Sequence, residues 1–63
     1  MKIYLREVRN KTNITLRELE KKSGISRAQI AKIENGDSVP KITTLCSLAK
    51  ALGVSITDLF KCD

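Results

Sequence analysis

The sequence is punctuated by repeated signals for the start and the end of short helices. A hydroxyl residue followed three positions later by Glu, Gln or Asp occurs at Thr15, Ser26 and Ser55, and this spacing is the capping box with which helices begin. Glycines stand at positions 24, 36 and 53, where a helix can end in a left-handed conformation at little cost. Because no segment alternates apolar and polar residues with a period of two, these signals predict an all-α fold of short helices joined by tight turns.

Five helices follow from this punctuation, at about residues 2–12, 15–22, 26–34, 41–51 and 55–60. The first is followed by Asn13, which tolerates a left-handed conformation. A loop is predicted over residues 37–40, since Pro40 cannot lie inside the next helix. The fourth helix carries an apolar stripe at helical spacing, and its members are expected in the core: Ile42, Leu45, Leu48, Ala49 and Leu52.

Length and composition exclude several classes of protein. The chain has 63 residues, which predicts one domain over residues 1–63, too small for a deep catalytic cleft. It has no histidine, and the spacing of its two cysteines, Cys46 and Cys62, fits no zinc motif. We therefore expect no enzyme, metal or cofactor, and we expect Cys46 to be a half-buried apolar group. With no signal peptide and no apolar run of about 20 residues, the expected location is the cytoplasm rather than a membrane.

Positive charge is concentrated in the first half of the chain. The net charge is +5 overall, but residues 1–33 hold nine basic and three acidic groups, whereas residues 34–63 hold three basic and four acidic groups. A basic region attracts a polyanion such as nucleic acid. Lysines that only solvate helix faces would give the same count, so charge alone does not decide between these explanations.

The second and third predicted helices have the layout of a helix-turn-helix over about residues 15–35, because a turn of about three residues containing Gly24 joins them. The third helix would present an outer face to solvent, and an α-helix fits the major groove of DNA. The inner side is predicted at Leu19, Ile25, Ile30 and Ile33. The outer side is predicted at Arg27, Ala28, Ala31 and Lys32, none of which is acidic.

From residue 14 to residue 60 the chain resembles the phage-repressor and Cro-type (XRE) helix-turn-helix domains. The resemblance implies a compact five-helix, lambda-repressor-like domain. The residues that carry it are Leu19, Gly24-Ile25-Ser26, Ile30, Ile33-Glu34-Asn35-Gly36, Pro40, Leu45, Leu48-Ala49-Lys50-Ala51-Leu52-Gly53-Val54 and Asp58-Leu59-Phe60.

The resemblance assigns base contacts to the outer face of the third helix. The positions that usually face bases are Arg27, Ala28 and Lys32. Arg27 and Lys32 can donate to guanine O6 and N7, and Ala28 can contact a thymine methyl group.

Further contacts implied by the resemblance are to the DNA backbone, at Thr15, Asn35 and Lys41. Such contacts fix the register without reading the sequence. For Gln29 two roles stay open, a phosphate contact or completion of its capping box. Arg9 matches one member of an ion pair with Glu34, which would orient the recognition helix, and Arg9 is also placed toward phosphate.

The chain departs from its relatives at several positions. Leu16 replaces a customary glutamine, which removes one phosphate contact. Glu20 replaces a customary alanine that faces the third helix, and we expect its carboxylate to reach solvent or to pair with a nearby basic group. Ser23 stands where an apolar residue is usual. Asp37 in the following loop weakens backbone binding, so modest affinity per monomer is expected.

Dimerisation is expected, because one recognition helix reads too few base pairs for useful specificity and relatives pair on half-sites. Closing the core accounts for Val54, Ile56 and Leu59. The predicted contact of a weak homodimer is the outer side of the fifth helix with Phe60, to which Ile56 and Leu59 contribute. We expect no small-molecule effector domain within these 63 residues.

The sequence therefore predicts a small transcriptional regulator, specifically a repressor, that binds double-stranded DNA sequence-specifically with its third helix. The expected setting is bacterial or phage, at the nucleoid. An alternative function is a protein-interaction module, such as an antitoxin-like or adaptor subunit, for which DNA binding is secondary. A third hypothesis, an enzyme, is not expected, since no nucleophile and base can be paired.

Overall fold

The computed structural model describes residues 1–62 of the chain. Four α-helices follow one another, and a 3-10 helix at Ile56–Asp58 comes after them. The fold is mostly helical, but the predicted all-α class and the five-helix count are wrong, because two short strands are present and the fifth predicted helix is a single 3-10 turn. The α-helices are α1 at Leu5–Lys11, α2 at Leu16–Ser23, α3 at Arg27–Glu34 and α4 at Ile42–Leu52.

A two-stranded antiparallel sheet joins the two ends of the domain. Strand β1 at Lys2–Ile3 pairs with β2 at Phe60–Lys61, with Ile3 opposite Phe60. The backbone N–H of Tyr4 donates to the carbonyl of Leu59 at 2.7 Å, so this N–H extends the pairing. The prediction that the first helix begins at residue 2 is therefore wrong, since the first residues are extended.

The left-handed conformations predicted after the first four helices are confirmed. Asn13 has a φ of +56°, and Gly24, Gly36 and Gly53 have φ values of +77°, +80° and +71°. The last predicted helix stops early because the chain turns at Leu59 into β2. The Asp58 carboxylate accepts from the Ser55 N–H at 3.1 Å, which is the reciprocal half of the predicted box.

The core is a single apolar cluster to which every α-helix contributes. Leu45, Leu48, Ala49 and Leu52 of α4 are buried as predicted. Ile42 is 62% exposed, so its predicted core position is wrong. It is the first residue of α4, and the buried residues of that helix begin one turn later, at Leu45. The other buried members of the cluster are Leu5, Leu19, Ile30, Ile33 and Leu59. Among residues 1–62, no helix has the length and apolar character needed to cross a membrane.

Replacing Gly24 by valine is expected to destabilise the domain by about 1–2 kcal/mol, because a β-branched residue is strained at positive φ. A Cβ built at Gly24 meets no atom within 4 Å, so the cost is conformational rather than steric. Gly24→Asn is the matched control, since asparagine tolerates this region. Thermal unfolding should rank the wild type and the asparagine variant above the valine variant. Equal melting temperatures for all three proteins would contradict a strained turn.

Candidate nucleic-acid interface

The turn between α2 and α3 consists of residues 24–26, as the sequence predicts. Gly24 ends α2 in the left-handed conformation, and Ser26 is the N-cap of α3. Ser23 secures the same turn, because its Oγ donates to the Leu19 carbonyl at 2.6 Å and accepts from the Ile25 N–H at 3.2 Å. The hydroxyl therefore satisfies one backbone group of α2 and one of the turn.

The inner side of this helix pair is apolar and the outer side is exposed. Leu19, Ile30 and Ile33 are buried, and Ile25 packs against them half-buried. The predicted division of α3 into two faces is thus confirmed, apart from Ala31, which is half-buried. The exposed residues of α3 are Arg27, Ala28, Gln29 and Lys32.

Glu34, the carboxylate of α3, is withdrawn from this exposed face. Its side chain is 3% exposed, and its Oε2 lies 2.7 Å from Arg9 Nε. Arg9 Nη2 donates to the second oxygen at 3.2 Å, which makes the pair bidentate. The ion pair that the resemblance implies is therefore present in the structure, and it ties α1 to the end of α3.

Arg9 has little capacity left for a phosphate. Its side chain is 15% exposed, and its Nη1 donates to the Ile14 carbonyl at 3.2 Å. The guanidinium thus uses all three of its nitrogens inside the protein. Arg9 is therefore better placed to hold Glu34 than to bind a phosphate, and its phosphate contact stays a prediction.

Arg6 is a member of this network that sequence reasoning missed. Its Nη2 donates to Asn35 Oδ1 at 2.5 Å, and its Nε lies 3.6 Å from Glu34 Oε1. The signal was present, because Arg6 precedes Arg9 by three residues and so shares a helix face with it. Arg6 contacts the side-chain oxygen of Asn35. The side-chain NH2 group of Asn35 is therefore left to donate to a phosphate.

Thr15 and Glu18 form the predicted capping box at the start of α2. Thr15 Oγ1 accepts from the Glu18 N–H at 3.1 Å, and the Glu18 carboxylate accepts from the Thr15 N–H at 3.2 Å. This backbone hydrogen bond from Thr15 lowers the pKa of the Glu18 carboxyl below its ordinary value. The cap uses Thr15 Oγ1 as an acceptor, so the hydroxyl hydrogen stays available for a phosphate oxygen.

The remaining predicted backbone contacts are at Gln29 and Lys41. Ser26 Oγ accepts from the Gln29 N–H at 3.2 Å, which is one half of the predicted box, and Gln29 is exposed. Lys41 is the exposed N-cap residue of α4. Both side chains are therefore accessible to a ligand.

Glu20 pairs with a basic group, as predicted, and its partner is Arg27. Glu20 Oε1 lies 3.1 Å from Arg27 Nε, and Oε2 accepts from the Arg27 backbone N–H at 3.1 Å. The Arg27 side chain is 53% exposed, and Glu20 contacts it only at Nε and at the backbone N–H. The first residue of the predicted base-reading set is thus linked to α2.

Of the three predicted dimer residues, one is buried in the core and two are partly accessible. Leu59 is fully buried, so its prediction as a contact is wrong: its side chain closes the core. Ile56 and Phe60 are half-buried and pack against the cluster. The large exposed apolar side chains lie elsewhere, at Met1, Val39 and Ile42.

Neither cysteine is paired or buried in the described residues. Cys46 and Cys62 are exposed free thiols, so the prediction of a half-buried Cys46 is wrong. Over residues 1–62, no three His, Cys, Asp or Glu side chains come together in a group that could hold a metal ion.

Comparisons with known proteins all point to the same family. A family model described as helix-turn-helix matches residues 5–59. An uncharacterized HTH-type transcriptional regulator of Methanocaldococcus jannaschii is 40% identical over 60 residues, covering 95% of this chain and 91% of that protein. An uncharacterized HTH-type transcriptional regulator of Archaeoglobus fulgidus is 35% identical over 60 residues, covering 95% and 86%. The HTH-type transcriptional repressor RghR of Bacillus subtilis is 43% identical over 51 residues, covering 79% of this chain but 38% of that protein.

Proposed function

The chain belongs to the helix-turn-helix family, and we propose that it is a transcriptional regulator that reads the DNA major groove with α3. The observation that carries the proposal is the outer face of α3. Arg27, Ala28 and Lys32 are exposed there, while the Glu34 carboxylate is sequestered by Arg9. When α3 enters the major groove, the side chains between the two phosphate backbones of the DNA would therefore be cationic or small. The carboxylate of that helix would not be among them.

The proposed contacts divide into base readers and phosphate binders. Arg27 and Lys32 donate to guanine, and Ala28 contacts a thymine methyl group. Each good bidentate contact with guanine favours the right base over a wrong one by about 1–3 kcal/mol. The backbone is held by the hydroxyl of Thr15, the amide of Asn35 and the side chains of Gln29 and Lys41, which fixes the register.

We infer repression as the sign of regulation and a weak homodimer as the binding unit. The relative that is named a transcriptional repressor supports the sign. Dimerisation is supported by the short reach of one recognition helix, since dimers double the site by binding two half-sites about one helical turn apart. Ile56 and Phe60 are the residues proposed for the contact between copies.

A second candidate function, a protein-interaction module, is favoured by the exposed apolar side chains next to α3 and α4. Val39 is 80% exposed in the loop before α4, and Ile42 begins α4. A protein partner could cover these side chains. DNA binding would then be secondary and would show little preference for sequence.

A binding titration separates the two candidates. The protein is titrated into the DNA upstream of its own coding sequence and into a scrambled duplex, at several salt concentrations. A regulator should bind the upstream DNA about a thousandfold more tightly or better, with affinity that falls steeply with salt. Equal affinity for the two duplexes at every salt concentration would contradict the regulator and support the interaction module.

Replacing Arg27 by alanine is expected to remove discrimination at one or two base positions, by about tenfold each. The melting temperature should change little, because the Arg27 side chain is half exposed. Competition binding with duplexes altered one base pair at a time measures the preference. Lys50→Ala is the control, since it removes one exposed positive charge from α4. Unchanged preferences in the Arg27 variant would show that the recognition face is wrongly assigned.

A further inference from the structure

A carboxylate lies beside the proposed base-reading face, where it should repel DNA. The Glu20 side chain is 37% exposed and belongs to α2, one helix away from the arginine it contacts. Each of its oxygens has a separate task, since Oε1 meets the Arg27 guanidinium and Oε2 accepts from the Arg27 N–H. Both contacts are directed at one residue of α3, which indicates a role in placing that residue.

The backbone contact completes the start of α3. The first N–H groups of a helix have no partner within it. Ser26 satisfies the N–H of Gln29, and Glu20 satisfies that of Arg27. A carboxylate at this end also interacts favourably with the helix dipole. Glu20 is therefore fixed in position by the backbone of α3, independently of the Arg27 side chain.

The side-chain contact leaves the recognition end of Arg27 unused. Glu20 meets the guanidinium at Nε, and within residues 1–62 no hydrogen bond from Nη1 or Nη2 of Arg27 is found. The two terminal nitrogens are a pair that can donate side by side to guanine O6 and N7. Arg27 is thus paired with the carboxylate at its inner nitrogen, while about half of its side-chain surface stays exposed.

We infer that Glu20 is a positioning residue that determines the preference for guanine at the base pair read by Arg27. This inference rests on the proposed function. An arginine that is not held can reach the nearest phosphate, a contact that carries no sequence information. Holding the guanidinium before DNA arrives reduces the ordering cost of the base contact. The negative charge of Glu20 also repels every duplex whatever its sequence, which lowers non-specific binding without changing the ratio between sites.

The test measures base preference in variants of Glu20. A duplex is chosen by binding-site selection on the wild type, and the guanine whose preference is lost in Arg27→Ala is identified. Affinities are then compared between that duplex and versions carrying the other bases at that position. Wild type should prefer guanine about tenfold or more. Glu20→Ala should lower this preference to about threefold or less while binding scrambled DNA more tightly, since a negative charge is removed.

Two further variants separate positioning from a structural role. Loss of the α3 cap in Glu20→Ala would weaken binding to all duplexes equally, and so would not change the ratio between them. In an Arg27→Ala background, Glu20→Ala should not alter the base preference at all. Glu20→Gln keeps one acceptor oxygen, enough for one of the two contacts, and should retain part of the guanine preference. Glu7→Ala, which removes an exposed carboxylate from α1, is the control and should keep the full preference.

The outcomes distinguish this inference from the proposed function. If wild type itself binds all duplexes equally, the regulator proposal fails and this inference fails with it. If wild type discriminates through Arg27 but Glu20→Ala keeps the full guanine preference, only the positioning role is overturned. A change in preference in Glu20→Ala that persists without Arg27 would also overturn it, because Glu20 would then act directly on the DNA.

Discussion

Replacing Arg9 by methionine is expected to destabilise the domain by about 3 kcal/mol, because it leaves the Glu34 carboxylate buried without its main partner. Glu34 is 3% exposed, and both of its oxygens contact Arg9. Arg6 lies 3.6 Å away and is half exposed, so it compensates only in part. For a domain of this size, such a loss lowers the melting temperature by roughly 12–24 °C.

The cause of this loss can be isolated with a second substitution. Changing Arg9 to methionine and Glu34 to leucine together removes the whole pair, and replacing a buried pair by apolar side chains is often nearly neutral. The double variant should therefore recover most of the stability. Arg17→Met removes an exposed positive charge from α2 and should unfold like the wild type. A single Arg9 variant as stable as wild type would show that the pair contributes little to folding.

The parts of the site that could be predicted from sequence are those encoded over a few residues. The turn at Gly24 and the caps at Thr15 and Ser26 depend on contacts three residues apart, so their residue types identify them. The inner face of α3 follows from helical spacing in the same way. These local features place Arg27 and Lys32 outward without any knowledge of the rest of the fold.

The contacts that were missed depend on how separate elements meet. The pairing of Ile3 with Phe60 joins the two ends of the chain, and two residues per strand show no period from which a strand could be predicted. The sequence predicted that Glu20 reaches solvent or pairs with a basic group, but it did not identify Arg27 as the partner, because that choice depends on the packing of α2 against α3. Ile42 shares the spacing of the core stripe, but it is the first residue of α4 and lies outside the core. The spacing alone does not show where the core ends.

Replacing Lys32 by glutamate is expected to weaken specific DNA binding more than about 100-fold. The change removes a base contact worth about 1–3 kcal/mol and places a carboxylate between the phosphate rims, where repulsion adds a similar cost. Together these amount to about 2–6 kcal/mol, with a midpoint of about 4 kcal/mol, and each 1.4 kcal/mol is a factor of about ten in affinity. Equilibrium titration of the variant into the selected duplex measures the loss.

The control is the same substitution in α4. Lys50 and Lys32 are both exposed and both stand in the last turn of their helix, so glutamate at either position has a similar cost for the helix dipole, about 1 kcal/mol or less. Both variants change the net charge equally, and charges farther than about 10 Å from the DNA are largely screened at ordinary salt. If the Lys50 variant loses as much affinity as the Lys32 variant, binding depends on total charge and α3 is not the reading helix.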